Sequence, residues 1–152
     1  MGQRQEVGAA RGFTLLELLV TLGILALTLG LAVPIVGRSV DTIRARAEVA
    51  GFSAVLRHAR ERAITTRTVH AVVIDPTNRK MVVLAGAPEG EVRQTRALPA
   101  TLTVEATPPP ALTVRFEPQG SSSGGDFRLT SGGAVYRVTV DGVTGRVRSA
   151  RL

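Results

Sequence analysis

One carboxylate, Glu17, stands inside the apolar run 13–36, which holds no other ionisable residue. A charge in that setting does one kind of chemistry well: it finds a cation and neutralises it. The serines offer another kind. Gly120-Ser121-Ser122-Ser123-Gly124 spells G-x-S-x-G, the turn that exposes a hydrolase nucleophile, but that turn needs a strand before it and a helix after it. Gly125 and the strand-like stretch 126–130 follow instead, so the segment reads as a flexible loop. His58 and His70 have no acid or nucleophile at a telling spacing and read as surface or packing residues. Asp75 and Asn78 could hold a cation, yet residues of these types beside Pro76 usually serve the turn itself. The chain has no cysteine and no cluster of histidines with carboxylates, so no metal site is expected, with calcium in a loop left open. No catalytic constellation results, and the chain is read as a non-enzyme without a cofactor.

The elements that must position these residues fall into two regimes. The run 13–36 exceeds the roughly 20 residues that cross a bilayer core as a helix. A carboxylate within such a helix costs about 2.5 to 3.5 kcal/mol, less near the interface, so Glu17 either sits at headgroup level or has a function. Arg4 and Arg11 precede the run against one acid, Glu6, and favour a cytoplasmic N-terminus. Arg38, Arg44 and Arg46 on the far side reduce that bias. A cleavable secretory signal is the rival reading, with small residues at Gly30 and Ala32. Against it, the stretch is longer than the usual apolar region, carries an acid and continues as a helix beyond Pro34. From there to about Thr66, Val40, Ile43, Ala47, Ala50 and Ala54 recur at spacings of three and four. Phe52, Leu56, Ala59 and Ala63 widen the stripe. A helix from Phe13 to Thr66 would be about 80 Å long.

Downstream the period becomes two and turn residues become dense. Strands are expected over 70–75 and 80–84, joined by the hairpin turn 76–79, and over 102–106, 112–117, 126–130, 134–140 and 146–149. The expected fold class is α+β: a long N-terminal helix, half transmembrane and half amphipathic, packed against a small antiparallel β-sheet head. A head of this size is small enough to need the helix to complete its core.

The string Gly12-Phe13-Thr14-Leu15-Leu16-Glu17 resembles the processing signal of type IV pilins and type II secretion pseudopilins. The resemblance implies that a prepilin peptidase cuts between Gly12 and Phe13 and N-methylates Phe13. It also implies that Glu17 pairs with the N-terminal amine of a neighbouring subunit during assembly and that Pro34 kinks the helix. Pairing removes two buried charges together, either of which would be costly alone. The segments LRHARERAITTRT, VVIDPTNRKMVV, FEPQGSSSGGDFRL and YRVTVDGVTGRVR further resemble the GspH/FimT family, strongly at both ends of the chain and weakly over 85–110. The missing cysteines leave out the C-terminal disulfide loop of many major pilins. The division implied is a leader 1–12, a transmembrane and filament-core helix 13–36, its amphipathic continuation 37–66, and a periplasmic head 67–152. The function implied is that of a minor pseudopilin of type II secretion, single-pass in the bacterial inner membrane. Its partners would be other major and minor pseudopilins, the prepilin peptidase, an inner-membrane assembly platform and membrane lipid.

Charge keeps one alternative open. The formal net charge is +7 and, apart from Lys80, the basic residues are arginines. Arg146, Arg148 and Arg151 gather at the end of the sequence, with Arg146 and Arg148 expected on one side of a strand. Some FimT-like minor pilins bind DNA in natural transformation with such a basic tail. Alternate arginines on an exposed edge strand equally serve to block edge-to-edge aggregation.

Overall fold

Helix α1, Leu15–Thr66, starts where Thr14 can cap it: the Thr14 hydroxyl oxygen accepts the Glu17 backbone N–H at 3.2 Å. In this computed structural model the residues described are 12–86, 90–109 and 111–152, with 31–39 entering only as part of the helix. Residues 40–152 form one compact unit, and the residues before them a separate one. In the first unit Phe13, Leu15, Leu16, Leu18, Leu19, Leu22 and Ile24 are all exposed, Phe13 by 84%. Among the described residues no helix is long and apolar enough to cross a membrane. The span expected over 13–36 runs into 31–39, whose side chains lie outside the described residues, and so does the kink expected at Pro34.

The second unit begins with the helix. Ala45, Val49, Phe52, Val55, Leu56, Ala59 and Ala63 are buried, at the three- and four-residue spacing of one helical face. The expected stripe was only half right. Phe52, Leu56, Ala59 and Ala63 are in the core, but Val40 and Ile43 are 48% and 66% exposed, and Ala47, Ala50 and Ala54 are exposed too. Both faces are apolar, and bulk decides between them. Burying a Phe, Leu or Val side chain gains about 1.5 to 3 kcal/mol, and the face with Val49, Phe52, Val55 and Leu56 outweighs one built mainly of alanine.

The helix ends at Thr66, where Arg67 takes a left-handed conformation (φ 52°) and turns the chain into the strands. These are β1 His70–Asp75, β2 Lys80–Ala85, β3 Glu91–Ala97, β4 Thr103–Ala106, β5 Thr113–Phe116, β6 Gly125–Ser131, β7 Ala134–Val140 and β8 Val147–Arg151. They form two four-stranded sheets, ordered β3-β2-β1-β5 and β4-β6-β7-β8, with every pairing antiparallel. One core joins the helix to both sheets, through Val72, Ile74, Val114 and Phe116 from the first and Phe127, Leu129 and Val138 from the second. Phe52 of the helix meets Phe127 edge-on, with ring centroids 5.6 Å apart, the geometry aromatic quadrupoles favour.

Strand β3 was not expected. All seven of its residues are exposed, so EVRQTRA carries no apolar alternation, and only its pairing with β2 makes it a strand.

Candidate functional site

At the N-terminal end, Thr14 is the N-cap and Leu15 opens the helix, which makes Glu17 its third residue. Thr14-Leu15-Leu16-Glu17 is therefore also a capping-box sequence, a signal the sequence reading passed over. Its observed half is the bond from the Glu17 N–H to Thr14. The Glu17 side chain is exposed in the first helical turn, where the positive end of the helix dipole favours a carboxylate by about 0.3 to 1 kcal/mol. That offsets part of the cost of an acid among apolar neighbours. Among the described residues, a Cβ on Gly12 would meet nothing within 4 Å.

At the other end of the chain, Arg146 and Arg148 line two depressions. One, of about 690 Å³, is shared with Asp126, Asp141 and Thr144. The other, of about 440 Å³, lies between the helix end and β8 and is shared with Arg57, Arg60, Glu61 and Ile64. Arg60 is committed to structure: its Nε–H donates to the carbonyl oxygens of Gly120 and Thr144 at 3.1 and 3.0 Å. Arg151 does not join the other two. It pairs with Tyr136 where Arg148 pairs with Thr139, and an odd separation along a strand places the two on opposite faces. Among the described residues strand β8 pairs only with β7 and is a sheet edge, the position where the protective reading of alternate arginines applies.

The serine loop is fully engaged in holding the fold. Ser122 Oγ donates to the Asp141 carbonyl oxygen at 2.9 Å and accepts from the Gly124 N–H at 3.0 Å. Ser123 Oγ accepts the Arg115 N–H at 3.0 Å. Strand β6 follows where a nucleophile elbow would need a helix. The turns are equally self-contained. Asp75 accepts from the backbone and side-chain nitrogens of Asn78 at 2.9 and 2.7 Å. Asp141 accepts from the Thr144 N–H at 2.7 Å and its hydroxyl at 2.8 Å. These hydrogen bonds, backbone first, hold both carboxyls below the usual aspartate range. Among the described residues no group of three or more potential metal ligands gathers.

One polar contact had no sequence signal. Glu48, on the helix, accepts the Thr101 hydroxyl on one carboxylate oxygen and the Ser131 hydroxyl on the other, each at 2.6 Å. The two hydroxyls lie 53 and 83 residues away in sequence, too far for any local pattern to announce them.

Comparison with known proteins gives this arrangement a family. Residues 48–145 match the family described as Type II transport protein GspH, and residues 8–33 match the prokaryotic N-terminal methylation motif. The chain is 34% identical over 149 residues to the type II secretion system protein H of Xanthomonas campestris pv. campestris, covering 93% of this chain and 84% of that one. Among solved structures, the type IV minor pilin FimU of Pseudomonas aeruginosa superposes with a TM-score of 0.61 at 13% identity, over 72% of this chain and 90% of that one. The minor pseudopilin EpsH from the type 2 secretion system of Vibrio cholerae does so with a TM-score of 0.56 at 21% identity, over 73% and 96%. These two likenesses speak for the fold alone, and they divide between two machines. The sequence matches do not divide: with its methylation motif, its helix closed on two antiparallel sheets and its match over most of the head, the chain belongs to the GspH family of type II transport proteins.

Proposed function

We propose that the chain is a minor pseudopilin, a structural subunit of a periplasmic pseudopilus that serves protein export. The observation that carries this reading is a helix start on which Phe13, Leu15, Leu16, Leu18 and Leu19 are all exposed around one acid, Glu17. An apolar surface on every side of a helix needs a second apolar phase. The membrane would supply it first, with 13–36 as a single pass in the inner membrane and the head 67–152 in the periplasm. The helices of other subunits would supply it afterwards. On this reading the leader 1–12 is removed between Gly12 and Phe13, Phe13 is N-methylated, and Glu17 neutralises the terminal amine of an adjacent pseudopilin. The amphipathic continuation 37–66 carries the head, Pro34 loosens the helix between its halves, and an assembly platform outside this chain does the work.

Glu17→Ala tests the pairing. It should leave processing intact while secretion and co-purification with sibling pseudopilins fall. Unchanged secretion together with unchanged co-purification would refute the assembly role.

The second reading is a DNA-binding minor pilin. It rests on Arg146 and Arg148 sharing a groove with Arg57. Asp126 and Asp141 beside the same arginines weaken it, because acids at a phosphate site oppose the attraction. Titrating the full chain in detergent with duplex DNA at several salt concentrations separates the two. Salt-sensitive binding lost in Arg146→Gln/Arg148→Gln favours uptake, and no binding favours export.

A further inference from the structure

On the side of the helix end away from β8, a groove of about 540 Å³ opens between the last turns of α1 and the strands β1, β2 and β3. Its titratable lining is one-sided: His58, Arg62, His70 and Arg93, with no carboxylate among the lining residues, over a floor that includes Val83 and Ala85. We infer that this groove binds an acidic peptide segment of a partner protein.

His70, in the groove lining, is only 4% exposed. Its Nδ1 lies 2.9 Å from the Thr68 carbonyl oxygen. A carbonyl can only accept, so Nδ1 donates, and in the neutral ring Nε2 is the bare nitrogen. Nε2 has no hydrogen-bond partner among the described residues, and it is accessible rather than sealed in, so the groove leaves it open to a donor on a ligand. The groove therefore offers two complementary features: an acceptor that wants an N–H, and guanidinium groups that want a carboxylate. Arg62 has no ion-pair partner among the described residues. Arg93 is paired with Glu91 at 3.0 Å, but both side chains are more than half exposed, and such a pair exchanges readily for a better-placed acid. Gln94 adds an amide able to donate or accept.

A helix C-terminus carries roughly half a negative charge, which would oppose an anion. Here one of the last four carbonyls is answered by a side chain: the Thr68 hydroxyl donates to that of Thr66 at 3.1 Å. The guanidinium groups set the field of the groove. A peptide supplies both a carboxylate and a backbone N–H, whereas a simple carboxylate ion supplies only the first. Nucleic acid fits less well. Stacking on aromatic rings is what holds single strands, and among the described residues Phe13, far along the chain at the helix start, is the one large aromatic exposed.

The proposal is independent of the pairing of Glu17, and each can fail alone. The test uses the full chain in detergent, titrated with the capped peptide Asp-Gly-Asp-Gly-Asp, with its Asn-Gly-Asn-Gly-Asn counterpart, with sodium acetate and with a single-stranded oligonucleotide. Binding is read from the ¹⁵N shift of His70 Nε2 and from calorimetry. The expected result is that the aspartate peptide binds and moves the Nε2 signal, and that Arg62→Gln, an exposed position, weakens binding about tenfold. The proposal is overturned if the asparagine peptide binds equally, if acetate moves Nε2 as the peptide does, if the oligonucleotide binds the groove in preference, or if Arg62→Gln has no effect while the fold is unchanged by circular dichroism.

Discussion

Glu48→Ala is the substitution whose cost the structure defines best. Glu48 receives two hydroxyl donors at 2.6 Å from parts of the head far apart in sequence, Thr101 before β4 and Ser131 at the end of β6. A hydrogen bond to a charged group contributes about 1.5 to 3 kcal/mol, and a buried donor left without an acceptor costs about 1 to 3 kcal/mol. The two bonds differ in weight. Ser131 is 3% exposed and would keep a hydroxyl with nothing to bond, so its side is worth about 2 kcal/mol. Thr101 is exposed, water replaces Glu48 there, and about 0.5 to 1 kcal/mol is lost. The sum, about 3 kcal/mol, lowers the melting temperature of a unit of this size by roughly 10 °C. Calorimetry on the full chain in detergent measures it. Glu48→Gln retains one acceptor oxygen and should lose about half as much. The double substitution Glu48→Ala/Ser131→Ala should be less destabilising than the sum of the singles by about 1.5 kcal/mol. A melting shift below about 2 °C, or strict additivity in that cycle, would show that the carboxylate does not hold the two loops to the helix.

Two glycines should respond in opposite directions. Gly145 has φ 62°, and a Cβ there would stand 2.2 Å from the Gly120 carbonyl oxygen; Gly145→Ala should therefore cost at least about 2 kcal/mol in urea denaturation. Gly51 is a helical residue whose added Cβ would meet only the far end of the Arg96 side chain, at 2.8 Å. Since Arg96 is exposed and can move, Gly51→Ala should be neutral or stabilising, by up to about 1 kcal/mol. The aspartate turns set an acid limit. Asp75 and Asp141 have carboxyls held below the ordinary range, so their contribution is complete above the unfolded-chain value of about 3.9 and is lost as pH falls through the lower folded values. The amide signals of Asn78 and Thr144 should follow that loss. Movement of both at pH 5 to 6 would contradict it.

How much of this was legible in the sequence varied with what each segment buries. The hairpin of β1 and β2 could be read because HAVVID is mostly buried and KMVVL buries alternate residues, around a turn that Asp75 and Asn78 close with their own side chains. Strand β3 could not, because it buries none of its residues and borrows its conformation from β2. The head emerged as two sheets where a small sheet was expected, since turn signals mark where strands end and say little about which edges meet. Glu17 was conspicuous because its neighbours are apolar. Glu48 was not, standing among charged residues at positions 44, 46 and 57; its partners become neighbours only through the fold. Arg146, Arg148 and Arg151 looked like one cluster in the linear string, and strand parity splits it.

The exposed stripe of Val40, Ile43, Ala47, Ala50 and Ala54 lies about half a turn around the helix from Ala45, Val49, Phe52, Leu56 and Ala59, at roughly 100° per residue. Vectors drawn to the two stripes point in opposite directions and partly cancel. A measure that sums hydrophobicity around the axis therefore understates both sides, the bulky buried one and the mainly alanine exposed one. Such cancellation separates a helix that is indifferent to its surroundings from one with two distinct seams, of which the head closes only one.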